Sequence, residues 1–244
     1  YTPADTERRT LIQDDRPYAG WLYVSASLNA ETGQGFGEHY TETLDTMALE
    51  LGVVGPSALG RQVQNGFHKI INVASNKGWD NQLKDEPGIN LIGERKWRHR
   101  AVKLSNFEVD AIPHLGATLG NVYTHANGGA TVRFGQKLDV DYGPPLIRPN
   151  ASGFGALNPS DGVAWYLFAG VDGRAVARNI FLDGNTFRDS HSVDKKTLFG
   201  DFYTGIAIIY GSARIAFTHV MRSREFDQQP ESDRFGAISL SVHF

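Results

Sequence analysis

The amino-acid sequence predicts an all-β fold, an antiparallel transmembrane β-barrel of about nine strands with a short helix in a rim loop. Two observations predict it. Runs of about ten residues alternate apolar and polar side chains, and several of these runs carry charges on the polar face. We predict a single barrel domain over residues 1–244.

The amino-acid composition excludes several other classes of protein. With 27 Gly, 10 Pro and no Cys, the chain is neither collagen-like nor a disulfide scaffold. Its net charge of −3 excludes a strongly basic nucleic-acid-binding protein, so we expect no nucleic-acid partner. No segment approaches the roughly 18 uninterrupted apolar residues of a membrane helix. A helical membrane protein is therefore excluded, whereas a membrane β-barrel is not.

The predicted strands follow one another along the chain as alternating runs. In the first, between Ala19 and Ala30, leucine, valine and alanine alternate with tyrosine, serine and asparagine. The others cover residues 38–53, 89–98, 109–119, 130–138, 165–178, 197–211, 213–218 and 238–244. We expect all of them to cross a membrane, for which roughly nine to eleven residues are needed.

The placement of charges predicts which face of the barrel is inside. Alternation alone does not, because a soluble barrel turns its apolar face inward and a membrane barrel turns it outward. Charges of both signs on the polar faces could pair in a small lumen: Glu50, Asp110, Arg133, Lys137, Asp172, Arg174 and Arg214. The chain also ends on an aromatic residue, Phe244, which is typical of bacterial outer-membrane proteins. A soluble β-sandwich ending in Phe remains an alternative.

One segment, between Pro56 and Ala74, interrupts the β pattern with helical spacing. Its apolar residues recur every three or four positions: Leu59, Val63, Phe67, Ile70 and Ala74. We expect Ser57 to cap the helix, and Gln64, His68 and Asn72 to form one polar ridge on its opposite side.

Few residues in this sequence are suited to catalysis. The histidines lack the spacing of a zinc site, and no serine lies in a nucleophile motif, since Ser57 is better explained as a helix cap. His68 is the candidate general base, because imidazole titrates near neutral pH and the amide side chain of Gln64 or Asn72 could fix its tautomer. Arg8 and Arg9 lie in a charged segment suited to phosphate contacts. A surface histidine and a solvated rim are the plainer explanations.

Several short motifs, spread over essentially the whole chain, are more specific than the alternation. They lie in residues 1–3, 15–23 (DRPYAGWLY), 51–60 (LGVVGPSALG), 64–68, 78–83 (GWDNQL), 119–121, 133–135 and 182–186. Together they resemble the outer-membrane lipid A 3'-O-deacylases.

The resemblance implies a twelve-stranded monomeric barrel in the bacterial outer membrane, with its active site near the outer rim. It implies calcium-dependent hydrolysis of the 3' acyloxyacyl ester of lipid A in lipopolysaccharide. By position, His68 matches the family's catalytic histidine, the base that activates water. Arg8 and Arg9 match a basic pair near the substrate's phosphate and the oxyanion, and Gln64 and Asn65 are expected to contact the substrate.

One departure from the family pattern concerns the beginning of the chain. Family members carry an N-terminal strand with an Asn-Asp pair and then a Tyr-Thr motif, which this sequence lacks. We therefore expect the domain to be N-terminally incomplete by about three strands and the calcium ligands to lie in that segment, so that the metal-binding residues of this sequence are unknown. Two alternatives remain open: a non-catalytic barrel or channel, and an outer-membrane phospholipase, which needs a serine beside its histidine.

Overall fold

The computed structural model describes residues 1–34, 41–143, 157–158 and 160–243. Nine strands form one antiparallel sheet in which each strand pairs with its neighbour in sequence. The strands are β1 (Trp21–Gln34), β2 (Thr41–Val54), β3 (Glu86–Leu104), β4 (Phe107–Gly120), β5 (Tyr123–Gln136), β6 (Ser160–Asn179), β7 (Leu198–Gly211), β8 (Ala213–Arg222) and β9 (Asp233–Val242). Two helices, α1 (Gly60–Ile70) and α2 (Ile180–Asp183), lie outside the sheet.

The strand ends define two rims. Trp21 pairs with Val54 at one end of the first hairpin, and Arg222 pairs with Asp233 at the corresponding end of the last. We call this edge the helix rim, because the segment that contains α1 connects β2 and β3 there. At the opposite edge, the turn rim, only Ser105 and Asn106 join β3 to β4. The connections of residues 55–85, 180–197 and 223–232 lie at the helix rim, and the connection of residues 137–159 lies at the turn rim.

The two faces of the sheet differ in the way that the charge pattern predicts. Large apolar side chains on one face are exposed, among them Leu22, Leu51 and Leu115. The other face buries six of the seven charged residues predicted to lie inside: Glu50, Asp110, Arg133, Asp172, Arg174 and Arg214. An apolar outside and a charged inside are the pattern of a membrane-spanning β-barrel. A single sheet of this kind also contradicts the β-sandwich alternative.

Lys137 is the exception, and its predicted place in the lumen is wrong. β5 ends at Gln136, and Lys137 adopts a left-handed conformation with φ of 56°. Its side chain is exposed and donates a hydrogen bond to the carbonyl oxygen of Asp161. The alternation stops where the strand stops, so the next position of the pattern does not point inward.

Part of the connection after β5 folds into the barrel. We call residues Leu138–Gly143 the plug segment. Its Asp141 carboxylate accepts hydrogen bonds from the Arg214 guanidinium and the Tyr166 hydroxyl, each at 2.8 Å, and also pairs with Arg133. Apolar residues of the plug segment pack with the inner faces of β6 to β8 in one cluster that includes Leu138, Val140, Tyr166 and Ile209. Charge pairing and apolar packing together hold this segment in the lumen.

Three further predictions concern the number of strands, the ends of two predicted strands and the absence of a membrane-spanning helix. About nine strands were expected, and the described residues contain nine, several of them longer than the alternating runs. Phe244 and the beginning of the predicted strand 38–53 lie outside the described residues. Among the helices of the described residues, none is both long and apolar enough to cross a membrane.

Candidate active site

The first turn of α1 is fixed against the helix rim by close packing. A Cβ atom on Gly60 would lie 2.9 Å from the ring of Trp79 and 3.1 Å from the Cα of Gly20, so only glycine allows this approach. Trp79 is 2% exposed. The beginning of the helix is therefore fixed against the segment that leads into β1.

Ser57 does not cap α1, contrary to the sequence prediction. It lies in a short 3-10 turn, Pro56–Ala58, and the helix begins after Leu59 without a side-chain cap. The Ser57 backbone N–H and hydroxyl instead donate to the two carboxylate oxygens of Asp85, at 2.7 and 2.9 Å. Ser57 thus joins the two ends of the connection between β2 and β3.

The polar side of α1 faces the protein. Gln64, Asn65 and His68 are half-buried, whereas Val63 and Phe67 on the apolar side are exposed. His68, the candidate base, is consequently on the side of the helix that faces the protein. A base must lie on that side to reach a substrate bound between the helix and the barrel.

The chain reverses directly after α1 and brings a carbonyl group to His68. The helix ends at Ile70, and Asn72 takes a left-handed conformation with φ of 56°. The Val73 N–H donates to the His68 carbonyl at 2.8 Å and the Asn72 N–H to the Lys69 carbonyl at 3.4 Å, which together form a Schellman motif. The returning chain places the Ala74 carbonyl oxygen 2.8 Å from His68 Nδ1.

This contact determines the tautomer of His68. A carbonyl oxygen only accepts hydrogen bonds, so Nδ1 carries the proton and donates it. The Nε2 lone pair is then available to accept a proton. The sequence-based candidates for this orienting role, Gln64 and Asn72, do not fill it: Asn72 lies beyond the helix and acts through its backbone conformation.

Asn65 fastens the returning chain to α1. Its Oδ1 accepts the Asn76 N–H at 3.1 Å, and its Nδ2 donates to the Asn76 carbonyl at 3.4 Å. The side-chain amide of Asn65 is thus hydrogen-bonded to the backbone of Asn76, two residues after Ala74. Gln64, one position earlier, has a buried Oε1 without a hydrogen-bond partner among the described residues.

The segment that contains Arg8 and Arg9 runs beside the same returning chain. The Lys77 N–H donates to the Thr6 carbonyl at 2.9 Å, and Asn81 Nδ2 donates to the Arg9 carbonyl at 2.7 Å. Both arginine side chains are exposed. These two hydrogen bonds therefore hold the segment of the basic pair beside residues 74–81, the part of the chain that returns from His68.

Two side chains near Arg8 hold this segment in place. Arg8 Nε donates to the Thr10 hydroxyl at 3.0 Å. Burial raises the pKa of the Tyr18 phenol, so it stays protonated and donates to the Thr6 carbonyl at 3.4 Å. In the described part of the chain, the other guanidinium N–H groups of Arg8 have no hydrogen-bond acceptor.

The residues that the structure describes do not fit the calcium site that the resemblance implies. Among them, no group of three or more His, Asp or Glu side chains is arranged to hold a metal ion. Calcium prefers six to eight oxygen ligands, often from carboxylates.

Sequence reasoning missed the Ala74 carbonyl and Asn76 entirely. A backbone acceptor has no residue signature, so no motif could have indicated Ala74. The Asn72 reversal had a weak signal, because asparagine is among the few residues that adopt left-handed geometry readily after a helix.

Comparison with known proteins agrees with this architecture. The family model described as "Outer membrane protein LpxR" matches residues 1–244. The chain belongs to the LpxR family. It is therefore an outer-membrane protein, and the family membership indicated by the sequence motifs is confirmed.

A solved structure of an LpxR protein shows the same fold. LpxR from Salmonella typhimurium superposes with a TM-score of 0.83 at 22% identity, over 100% of this chain and 80% of that one. No curated protein sequence matches the chain. The structural likeness confirms the antiparallel outer-membrane barrel.

Proposed function

We propose that this LpxR-family protein is a lipid A 3'-O-deacylase in which His68 is the general base. The observation that carries the proposal is the hydrogen bond from the half-buried His68, through Nδ1, to the Ala74 carbonyl, which leaves the Nε2 lone pair available to accept a proton. The substrate is lipopolysaccharide, whose lipid A shares the outer membrane with this protein.

In the proposed reaction, His68 Nε2 removes a proton from water, and the resulting hydroxide attacks the ester carbonyl carbon. The tetrahedral intermediate collapses as the bond between the acyl carbonyl carbon and the 3' oxygen of the sugar breaks, which releases the acyl group as a fatty acid and leaves the sugar alkoxide. The imidazolium then returns its proton to the leaving alkoxide. The Ala74 carbonyl stabilises the imidazolium while it exists, since it accepts the Nδ1 proton throughout.

We assign different roles to the other predicted site residues. Arg8 and Arg9 bind the sugar phosphate and the developing oxyanion through their exposed guanidinium groups. Gln64, with an unpartnered amide oxygen in the described structure, contacts the attacking water or the substrate. Asn65 is a positioning residue, because its amide is already bonded to Asn76.

Two observations disfavour the alternative functions. In the part of the chain that the structure describes, the His68 hydrogen bond goes to a backbone carbonyl and none goes to a serine, as a phospholipase would need. The plug segment and its ion pairs fill part of the lumen, which disfavours a channel.

Mass spectrometry of lipid A from membranes that contain the protein tests the proposal. We expect His68→Ala to reduce release of the 3' acyl group by about 10²- to 10⁴-fold, the usual contribution of a general base. Gln62→Ala, on an exposed position of the same helix, is the matched control and should retain activity. Retained activity in a folded His68→Ala barrel would refute the assignment.

Calcium dependence is a separate proposal, supported by the family resemblance alone. We expect chelation with EGTA to abolish acyl release and added calcium, but not magnesium, to restore it. Unchanged activity in EGTA would contradict calcium dependence and leave the role of His68 intact.

A further inference from the structure

The apolar side of α1 has no role in the proposed reaction. Three of its residues lie in the helix, one precedes the helix and two follow it. We call the set the α1 apolar face: Leu59, Val63, Phe67, Ile70, Ile71 and Val73. Their exposed fractions range from 48% at Leu59 to 83% at Ile70.

This orientation is the reverse of a helix on a water-soluble protein, which packs its apolar side against a core. The polar side of α1 instead contacts the protein, through the bonds of Asn65 to Asn76 and of His68 to Ala74. The strands show the same reversal, with charges inside and leucines outside. Helix and sheet are thus both built for apolar surroundings.

The α1 apolar face begins next to the lipid-facing surface of the barrel. The Gly55 N–H donates to the Gly20 carbonyl at 3.1 Å, and Gly60 packs on Gly20, so α1 starts beside the rim ends of β1 and β2. The outward side chains of those strands near the rim include Leu22 and Leu51, which are 53% and 46% exposed. The apolar side of the helix therefore lies next to an existing lipid interface.

We propose that the α1 apolar face is inserted among the lipid acyl chains of the outer leaflet, so that α1 is an interfacial anchor. Six exposed apolar side chains on one side and polar residues on the other are the pattern of helices that lie in a membrane surface. Gln62 and Lys69 lie on an exposed polar edge of the helix, where they reach the headgroups. The anchor also sets the depth of His68 at the membrane. This consequence for catalysis rests on the proposed function, whereas the insertion of α1 does not.

Single cysteines with a fluorescent probe test this proposal directly, because the chain contains no Cys. The protein is placed in vesicles of phosphatidylethanolamine and phosphatidylglycerol with lipopolysaccharide. Val63→Cys and Phe67→Cys report on the α1 apolar face, and Gln62→Cys reports on the polar edge. Leu51→Cys, on the lipid-facing surface of β2, is the control for barrel insertion.

We expect spin-labelled lipid to quench the probes at positions 63, 67 and 51, and iodide to quench the probe at position 62. Quenching of positions 63 and 67 by iodide, with position 51 quenched by lipid, would overturn the proposal. Shielding of positions 63 and 67 from both quenchers would also overturn it, because the face would then be packed against protein.

A catalytic comparison tests the consequence. We expect a Val63→Ser, Phe67→Ser double variant to release acyl groups from vesicle-bound lipopolysaccharide about tenfold more slowly, and from detergent-dispersed lipid A at the unchanged rate. An equal loss in both would contradict a membrane-specific role. If the probes show insertion but the unmodified protein releases no acyl group, the anchor stands and the proposed function fails.

Discussion

At the scale of single residues, the candidate site depends on one backbone contact. The Ala74 carbonyl fixes which nitrogen of His68 is basic, and Asn65 holds the chain that carries that carbonyl. Neither group needs to touch the substrate. The chemistry assigned to His68 therefore depends on residues that a search for catalytic side chains would pass over.

Replacing Asn65 tests the positioning role. Asn65→Leu removes two hydrogen bonds to Asn76, each worth about 0.5–1.5 kcal/mol, and frees residues 73–76 to move. We expect kcat to fall about tenfold with little change in KM. Asn65→Asp, which keeps the acceptor for the Asn76 N–H, should recover part of kcat. A rise in KM alone would instead indicate a substrate contact.

Replacing Arg133 tests the inner ion pairs. Arg133 is fully buried between Asp110 and Asp141, so Arg133→Met removes the arginine that pairs with Asp110 and one of the two arginines that pair with Asp141. We expect a loss of about 3–5 kcal/mol in the free energy of unfolding, measured by urea titration in detergent micelles. The matched control is Lys196→Met, which breaks an exposed pair with Asp227 and should cost less than about 1 kcal/mol. Equal losses would show that burial of the pair is unimportant.

At the scale of elements, sequence patterns succeeded inside strands and failed at their ends. The period of two correctly predicted that Arg133 and Asp172 point inward, because their strands stay regular there. Lys137 follows the same period, but β5 ends one residue before it. Asn72 likewise continued the helical period past the last residue of α1. Periodicity does not record where an element stops, which depends on local turn geometry.

The reversal after α1 gives a prediction at this scale. Asn72 has φ of 56°, which glycine tolerates and a β-branched residue does not. Asn72→Val should cost about 1–2 kcal/mol locally and displace the Ala74 carbonyl from His68, lowering kcat. Asn72→Gly, the matched control, should retain activity. Comparable activity in the two variants would show that the Schellman motif does not position His68.

At the scale of the whole molecule, the sheet packs part of its own chain, the plug segment, against its charged inner face. Asp141 connects the plug segment to Arg133 and Arg214 on two different strands, and Arg98 donates to its carbonyl at 2.7 Å. Charges of opposite sign thus neutralise each other within the lumen. This filling could not be read from the sequence, because the plug segment has no periodic pattern and its partners come from β3, β5 and β8.

A lumen partly filled by the plug segment, with its charges paired, predicts that the protein conducts no ions. In planar lipid bilayers, we expect the unmodified barrel to show no steady conductance. Asp141→Ala removes the carboxylate that Arg133, Arg214 and Tyr166 share, so the plug segment should loosen and discrete channel openings should appear. Asp139→Ala, in the same segment but with an exposed side chain, is the matched control and should stay silent. Steady conductance by the unmodified protein would contradict the filled lumen and favour the channel alternative, whereas silence in all three would show that other contacts close the barrel without Asp141.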